Sequence, residues 1–170
     1  AEKEWRRCLE MAEKLQRVSE QPLQMEIAHY HCEMAEECLR RGTADQARAH
    51  LLDAQAIDPD CIRASMLQAQ MEMTRGDAET AALLYRRVAE RGPHYVPAML
   101  PGLLECWRRL GRTHIAAELR ALFYAHPSPP LMLELSHAIE REQGAAATLA
   151  FLEDYLRQHA VAQTGSVDFT

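Results

Sequence analysis

Three residue pairs in this chain repeat at one stride: Gly42 and Gly76, Ala47 and Ala81, and Pro59 and Pro93 each stand 34 residues apart. A 34-residue period is that of a helix–turn–helix solenoid, whose units cannot bury their apolar faces alone and must stack. The stride predicts an all-α fold, a right-handed superhelical solenoid of antiparallel helix pairs. Length allows about four to five such units. Apolar residues make up 48% of the chain but aromatics only 6%, so Leu, Ala and Met must build the core. Ala and Leu favour helices, and no alternating Val/Ile/Thr run offers a strand.

Residues 28–61 form the first full unit. Met34, Ala35 and Cys38 share one face of its first helix. Gly42 supplies a left-handed C-cap, and Thr43 or Asp45 can cap the second helix. Ala47, Leu51 and Ala54 continue that helix until Asp58-Pro59 stops it. Residues 62–95 repeat the plan with Ala69, Gly76, Asp77, Ala81, Tyr85 and Pro93. Residues 96–128 form a third unit, with Leu100, Leu103, Leu104 and Trp107 on its first helix and Ile115, Leu119 and Leu122 on its second. Gly111 lies 35 residues beyond Gly76, so its register slips by one.

A degenerate fourth unit covers 129–158 after a Pro-rich turn, and residues 1–20 read as a lone half-repeat helix. Residues 159–170 are expected to be irregular. The count is about nine helices with two unfinished ends. The chain opens within a helical pattern and without an initiator Met, so it reads as a piece of a longer protein.

Several function classes fall away. A net charge of −6 argues against nucleic acid, which needs a basic stripe to displace counterions. The five cysteines are odd in number and show no C-x-x-C pair, which fits a reducing compartment. No apolar run has the length of a membrane span, and no signal peptide is visible. Ser19, Ser65, Ser128 and Ser136 lack the glycines of a nucleophile elbow, and the chain is read as a non-enzyme. On a helix His29 and Cys32 share a face while His31 points elsewhere. That leaves two ligands where zinc takes three or four, so no metal site is expected.

The landmarks resemble the tetratricopeptide repeat over residues 28–158, most clearly in the first two units. A narrower resemblance runs along most of the chain. Met25-Glu26-Ile27-Ala28-His29-Tyr30-His31-Cys32-Glu33-Met34-Ala35 is similar to the opening of the first complete repeat in the lipopolysaccharide assembly protein B family of Gram-negative bacteria. Asp45-Gln46-Ala47-Arg48, Arg87-Val88 and the segment from Leu104 to Thr113 are similar as well.

That resemblance implies an adaptor in the regulation of lipopolysaccharide synthesis. It would bring the lipid A pathway deacetylase to the inner-membrane AAA+ protease, from the cytoplasmic face of the inner membrane. The family carries iron or zinc in a C-terminal rubredoxin-like module with paired C-x-x-C motifs, which are absent here. The resemblance therefore implies no cofactor in this chain. The alternative is a peptide-binding repeat domain of another bacterial assembly or chaperone system.

In such a superhelix the first helix of each unit lines the concave face, where ligands usually lie. The candidate partner-binding residues there are His29, Cys32 and Glu36 from the first unit. Arg63, Met66, Gln70 and Met73 follow from the second, and Glu105, Arg108 and Arg109 from the third. Met66 and Met73 stand two turns apart, and flexible thioethers suit an adaptable peptide groove. Arg108 and Arg109 could grip a carboxylate bidentately. A carboxylate clamp of the chaperone-tail kind would need Lys and Asn on this face, and they are missing. Trp5, Leu9, Phe151 and Tyr155 keep apolar stripes on the terminal helices, so self-association through an end is expected.

Overall fold

The computed structural model describes residues 2–19 and 22–164. Among them are nine α-helices and no strand: α1 (Glu2–Val18), α2 (Gln24–Arg40), α3 (Ala44–Ile57), α4 (Ile62–Arg75), α5 (Ala78–Glu90), α6 (Val96–Arg109), α7 (Ala116–Ala125), α8 (Pro129–Gln143) and α9 (Ala145–Thr164). Within each unit, taken by itself, consecutive helices pack on one another, as stacked helical repeats require. The chain divides into two compact units, Ala1–Gly111 and Arg112–Thr170.

In the first unit the repeat landmarks do the work their chemistry allows. Gly42 and Gly76 have φ of 75° and 88°, the left-handed region that only glycine enters at little cost. Each lets the chain double back after two or three residues, so α2/α3 and α4/α5 fold as antiparallel pairs. The closing hydrogen bonds repeat as well: Thr43 N–H donates to the Cys38 carbonyl, and Asp77 N–H to that of Glu72, both at 2.9 Å. Asp77 then caps α5, accepting from Thr80 N–H at 3.0 Å. At the equivalent turn neither Thr43 nor Asp45 caps α3 in that way. The Thr43 hydroxyl instead donates to the Cys38 carbonyl at 3.0 Å and closes the end of α2.

The first-unit core is built from small residues. Ala28, Cys32, Ala35, Ala47, Ala54 and Ala64 have no exposed surface, with Leu51, Leu67 and Met71 filling between them. Alanines let helix axes approach, and Ala35 and Ala69, on the first helices of the two repeats, are fully buried. The tightest approach is at Gly102 of α6. A β-carbon there would lie 2.3 Å from Cζ of Tyr85, whose ring is buried on α5. Arg48 of α3 crosses to the buried Glu72 of α4 at 2.8 Å and ties the first repeat to the second.

The second unit is more aromatic. Phe123 of α7 meets Phe151 at 6.2 Å and Tyr155 at 5.3 Å on α9, and Leu119, Leu131, Leu135 and Ile139 are fully buried. The start of α7 is capped from a distance: Glu142 at the end of α8 accepts from the N–H groups of Ile115 and Ala116 at 2.7 and 3.0 Å. Two boundaries differ from the sequence reading. The stretch read as the third repeat is divided, α6 belonging to the first unit and α7 to the second. α9 continues to Thr164, so 159–164 are helical rather than irregular, because the first helix breaker beyond Leu156 is Gly165. Residues 165–170 of the expected tail lie outside the described residues.

Candidate functional site

The first helices of successive repeats, α2, α4 and α6, lie side by side in the first unit. The 34-residue stride puts equivalent positions of neighbouring repeats in contact. Arg63 of α4 therefore reaches His29 of α2, the residue 34 before it. Its guanidinium spans three partners: Glu33 at 2.7 Å, Glu36 at 2.8 Å and His29 Nδ1 at 3.0 Å. Arginine can only donate, so His29 Nδ1 accepts and its Nε2–H is left to face Glu33 at 3.6 Å. Partial burial opposes the charge on Arg63, but the two carboxylates outweigh it and raise its pKa.

A second ion cluster closes the other end of α4. On α6, Arg108 grips Glu105 with a fork of 2.6 and 2.7 Å, and Arg109 adds a third bond at 2.9 Å. These bonds from Arg108 and Arg109 hold the Glu105 carboxyl down to about 2. The other arm of Arg109 donates to the Met73 carbonyl at 2.9 Å and satisfies an end of α4. Arg108 thus commits Nε and Nη2, and Arg109 Nε and Nη1, within the protein, where the sequence suggested a bidentate grip on a partner's carboxylate.

Between the clusters lie half-buried Met66 and exposed Gln70. The first cluster holds one arginine against two glutamates, the second two arginines against one. The face of α2, α4 and α6 is consequently acidic at the Arg63 end and basic at the Arg108 end.

Two of the candidate residues are not on this face. Cys32 is fully buried, because it lies four residues after Ala28 and three before Ala35 in the middle of the apolar stripe. Its Sγ is 3.8 Å from that of Cys61 at the α4 N-cap. The hydrogen bond with Cys32, with help from the Ala64 and Arg63 N–H groups, lowers the pKa of the Cys61 thiol. The same contact, together with burial, raises Cys32. Met73 is buried too, since α6 lays Cys106 over it with 3.1 Å between the sulfurs. Met66 and Met73 therefore do not make a two-residue thioether surface. His29, Glu36, Arg63, Met66, Gln70, Glu105, Arg108 and Arg109 remain as the candidate face.

The apolar stripes at the ends also turn out differently. Trp5 packs on His29 and Tyr30 at 6.3 and 6.1 Å, and Phe151 is buried, so these rings serve the protein's own packing. On α1 the exposed apolar residues are Met11, Leu15 and Val18. Met11 and Leu15 line a groove of about 620 Å³ against α2, together with Cys8, Leu23 and Tyr30 among others. Two of the candidate serines are occupied within their helices: Ser65 and Ser136 donate to the carbonyls four residues back.

One constellation escaped the sequence reading. His31, buried on α2, places Nδ1 3.3 Å from His50 Nδ1 and 3.8 Å from Asp53 Oδ2, both on α3. Burial lowers the pKa of His31, and His50 adds to that; Asp53 and Glu13 of α1 act in the opposite direction. The residues stand 19 and 22 apart on two helices, so no local spacing announces them.

No protein-family model matches the chain. It is 32% identical over 110 residues to lipopolysaccharide assembly protein B of Haemophilus influenzae, an alignment covering 65% of this chain and 28% of that protein. To the protein of the same name in Escherichia coli (strain K12) it is 27% identical over 160 residues. The chain spans 41% of the length of that Escherichia coli relative. The sequence similarity to lipopolysaccharide assembly protein B thus covers 94% of this chain.

Proposed function

We propose that this chain is the repeat region of a non-enzymatic adaptor in the regulation of lipopolysaccharide synthesis, which holds protein partners on the face of α2, α4 and α6. The observation that carries the reading is the similarity to lipopolysaccharide assembly protein B along 94% of the chain. The geometry of the first unit supports the choice of surface. Met66 and Gln70 offer an adaptable strip on α4, and the ion clusters at its two ends carry opposite net charge. Such a face suits a polypeptide that is basic at one end and acidic at the other, since complementary charge sets register and orientation.

The partners are the lipid A pathway deacetylase and the inner-membrane AAA+ protease, and the adaptor brings the first to the second. The full-length protein is anchored in the inner membrane with the repeats on the cytoplasmic side. No helix among the described residues is long and apolar enough to cross a membrane.

Co-purification tests this reading. The full-length protein should recover the deacetylase or the protease from cells. Arg108→Glu with Arg109→Glu should abolish that recovery, and Glu36→Lys should weaken it. Recovery of neither protein contradicts the identity of the partners, and recovery unchanged by the substitutions contradicts the surface.

A further inference from the structure

We propose that His31, His50 and Asp53 form a binding site for a divalent transition-metal ion, zinc foremost, that pins α2 to α3. The three side chains direct Nδ1, Nδ1 and a carboxylate oxygen to one place, all within 4.8 Å of one another. Two ligands held ~2.0–2.1 Å from a tetrahedral ion stand roughly 3.3 Å apart. The two imidazole nitrogens are already separated by 3.3 Å, and His31 Nδ1 and Asp53 Oδ2 by 3.8 Å. Asp53 is exposed, so its side chain is free to rotate its carboxylate toward the two imidazoles.

Two imidazoles and one carboxylate are a donor set for zinc and its neighbours in the first transition row, whereas magnesium and calcium take oxygen alone. The scaffold is rigid where it matters. His50 and Asp53 are three residues apart on α3 and share a face, and α2 and α3 make the most closely packed helix pair in the molecule. His31 is anchored by burial, while half-buried His50 and exposed Asp53 leave the ion a route in from solvent and a fourth position for water. An ion here would staple the first repeat across its two helices.

Titration of the purified chain with zinc sulfate by calorimetry tests this. The expected result is saturable binding of one ion per chain, together with a rise in melting temperature. His50→Gln and Asp53→Asn alter side chains that are not core, and circular dichroism confirms that the variants fold. Each should weaken binding at least roughly 100-fold, since even groups behind a ligand are worth 10- to 100-fold. Cobalt(II) in place of zinc should give the intense visible bands of a four-coordinate ion. Absence of stoichiometric binding would overturn the site. So would affinity unchanged in both variants, or a thiolate-to-cobalt charge-transfer band, which would place the ion on the cysteines.

Discussion

At the residue scale, the strongest constraints are contacts of single atoms. Gly102 is the clearest case, because a methyl group there would meet the ring of Tyr85 at 2.3 Å and that ring is buried. Alanine is the better helix former, yet overpacking a core costs ~1–3 kcal/mol and outweighs the gain. Gly102→Ala should lower the midpoint of urea unfolding, and a Tyr85→Leu background should relieve most of the loss. Glu105 makes a pH prediction. Its pKa is pulled from 4.5 to about 2 by Arg108 and Arg109, so its contribution to stability is present above 4.5 and fades as pH falls toward 2. NMR titration should find the low midpoint, and Arg108→Ala with Arg109→Ala should return it toward 4.5. Cys61 should be alkylated by iodoacetamide at lower pH than buried Cys32, Cys38 and Cys106, which peptide mass spectrometry would show.

At the scale of elements, the helices and their turns were legible wherever one residue type has one job. Gly42, Gly76 and Asp77 are of that kind: the left-handed turn admits glycine, and a carboxylate before a helix caps it. Thr43 was less so, because its hydroxyl can serve the helix behind it or the one ahead, and here it joins its own N–H on the Cys38 carbonyl. Burial within a helix was harder again. The sequence reading set Cys32 and Met73 on the open face, although Cys32 stands between Ala28 and Ala35 in the apolar stripe, and packing against Cys61 and Cys106 covers both. Glu142 could not be found from local sequence, since the α7 amides it caps lie 26 and 27 residues away. Glu142→Ala should destabilise the second unit by ~1–2 kcal/mol, the usual worth of an N-cap. The first turn of α7 should then lose hydrogen-exchange protection before the rest of the helix.

At the scale of the whole molecule, the 34-residue stride foretold the architecture because stacking is the only way such units bury their faces. It also explains, once the structure is seen, why equivalent positions of adjacent repeats touch, as His29 and Arg63 do. It did not foretell that the third repeat would be shared between two compact units, for the division depends on packing between distant helices. The candidate face was read from the sequence as a row of first-helix residues, whereas its charge pattern emerged only from which carboxylates each arginine captured. The account stands on that row being the surface that meets another protein. A photoreactive amino acid in place of Gln70 of the full-length protein, with the same substitution at exposed Leu83 of α5 as the control, tests it most directly. The account predicts crosslinks to the deacetylase or the protease from position 70 and none from position 83; crosslinks from 83 alone would contradict it.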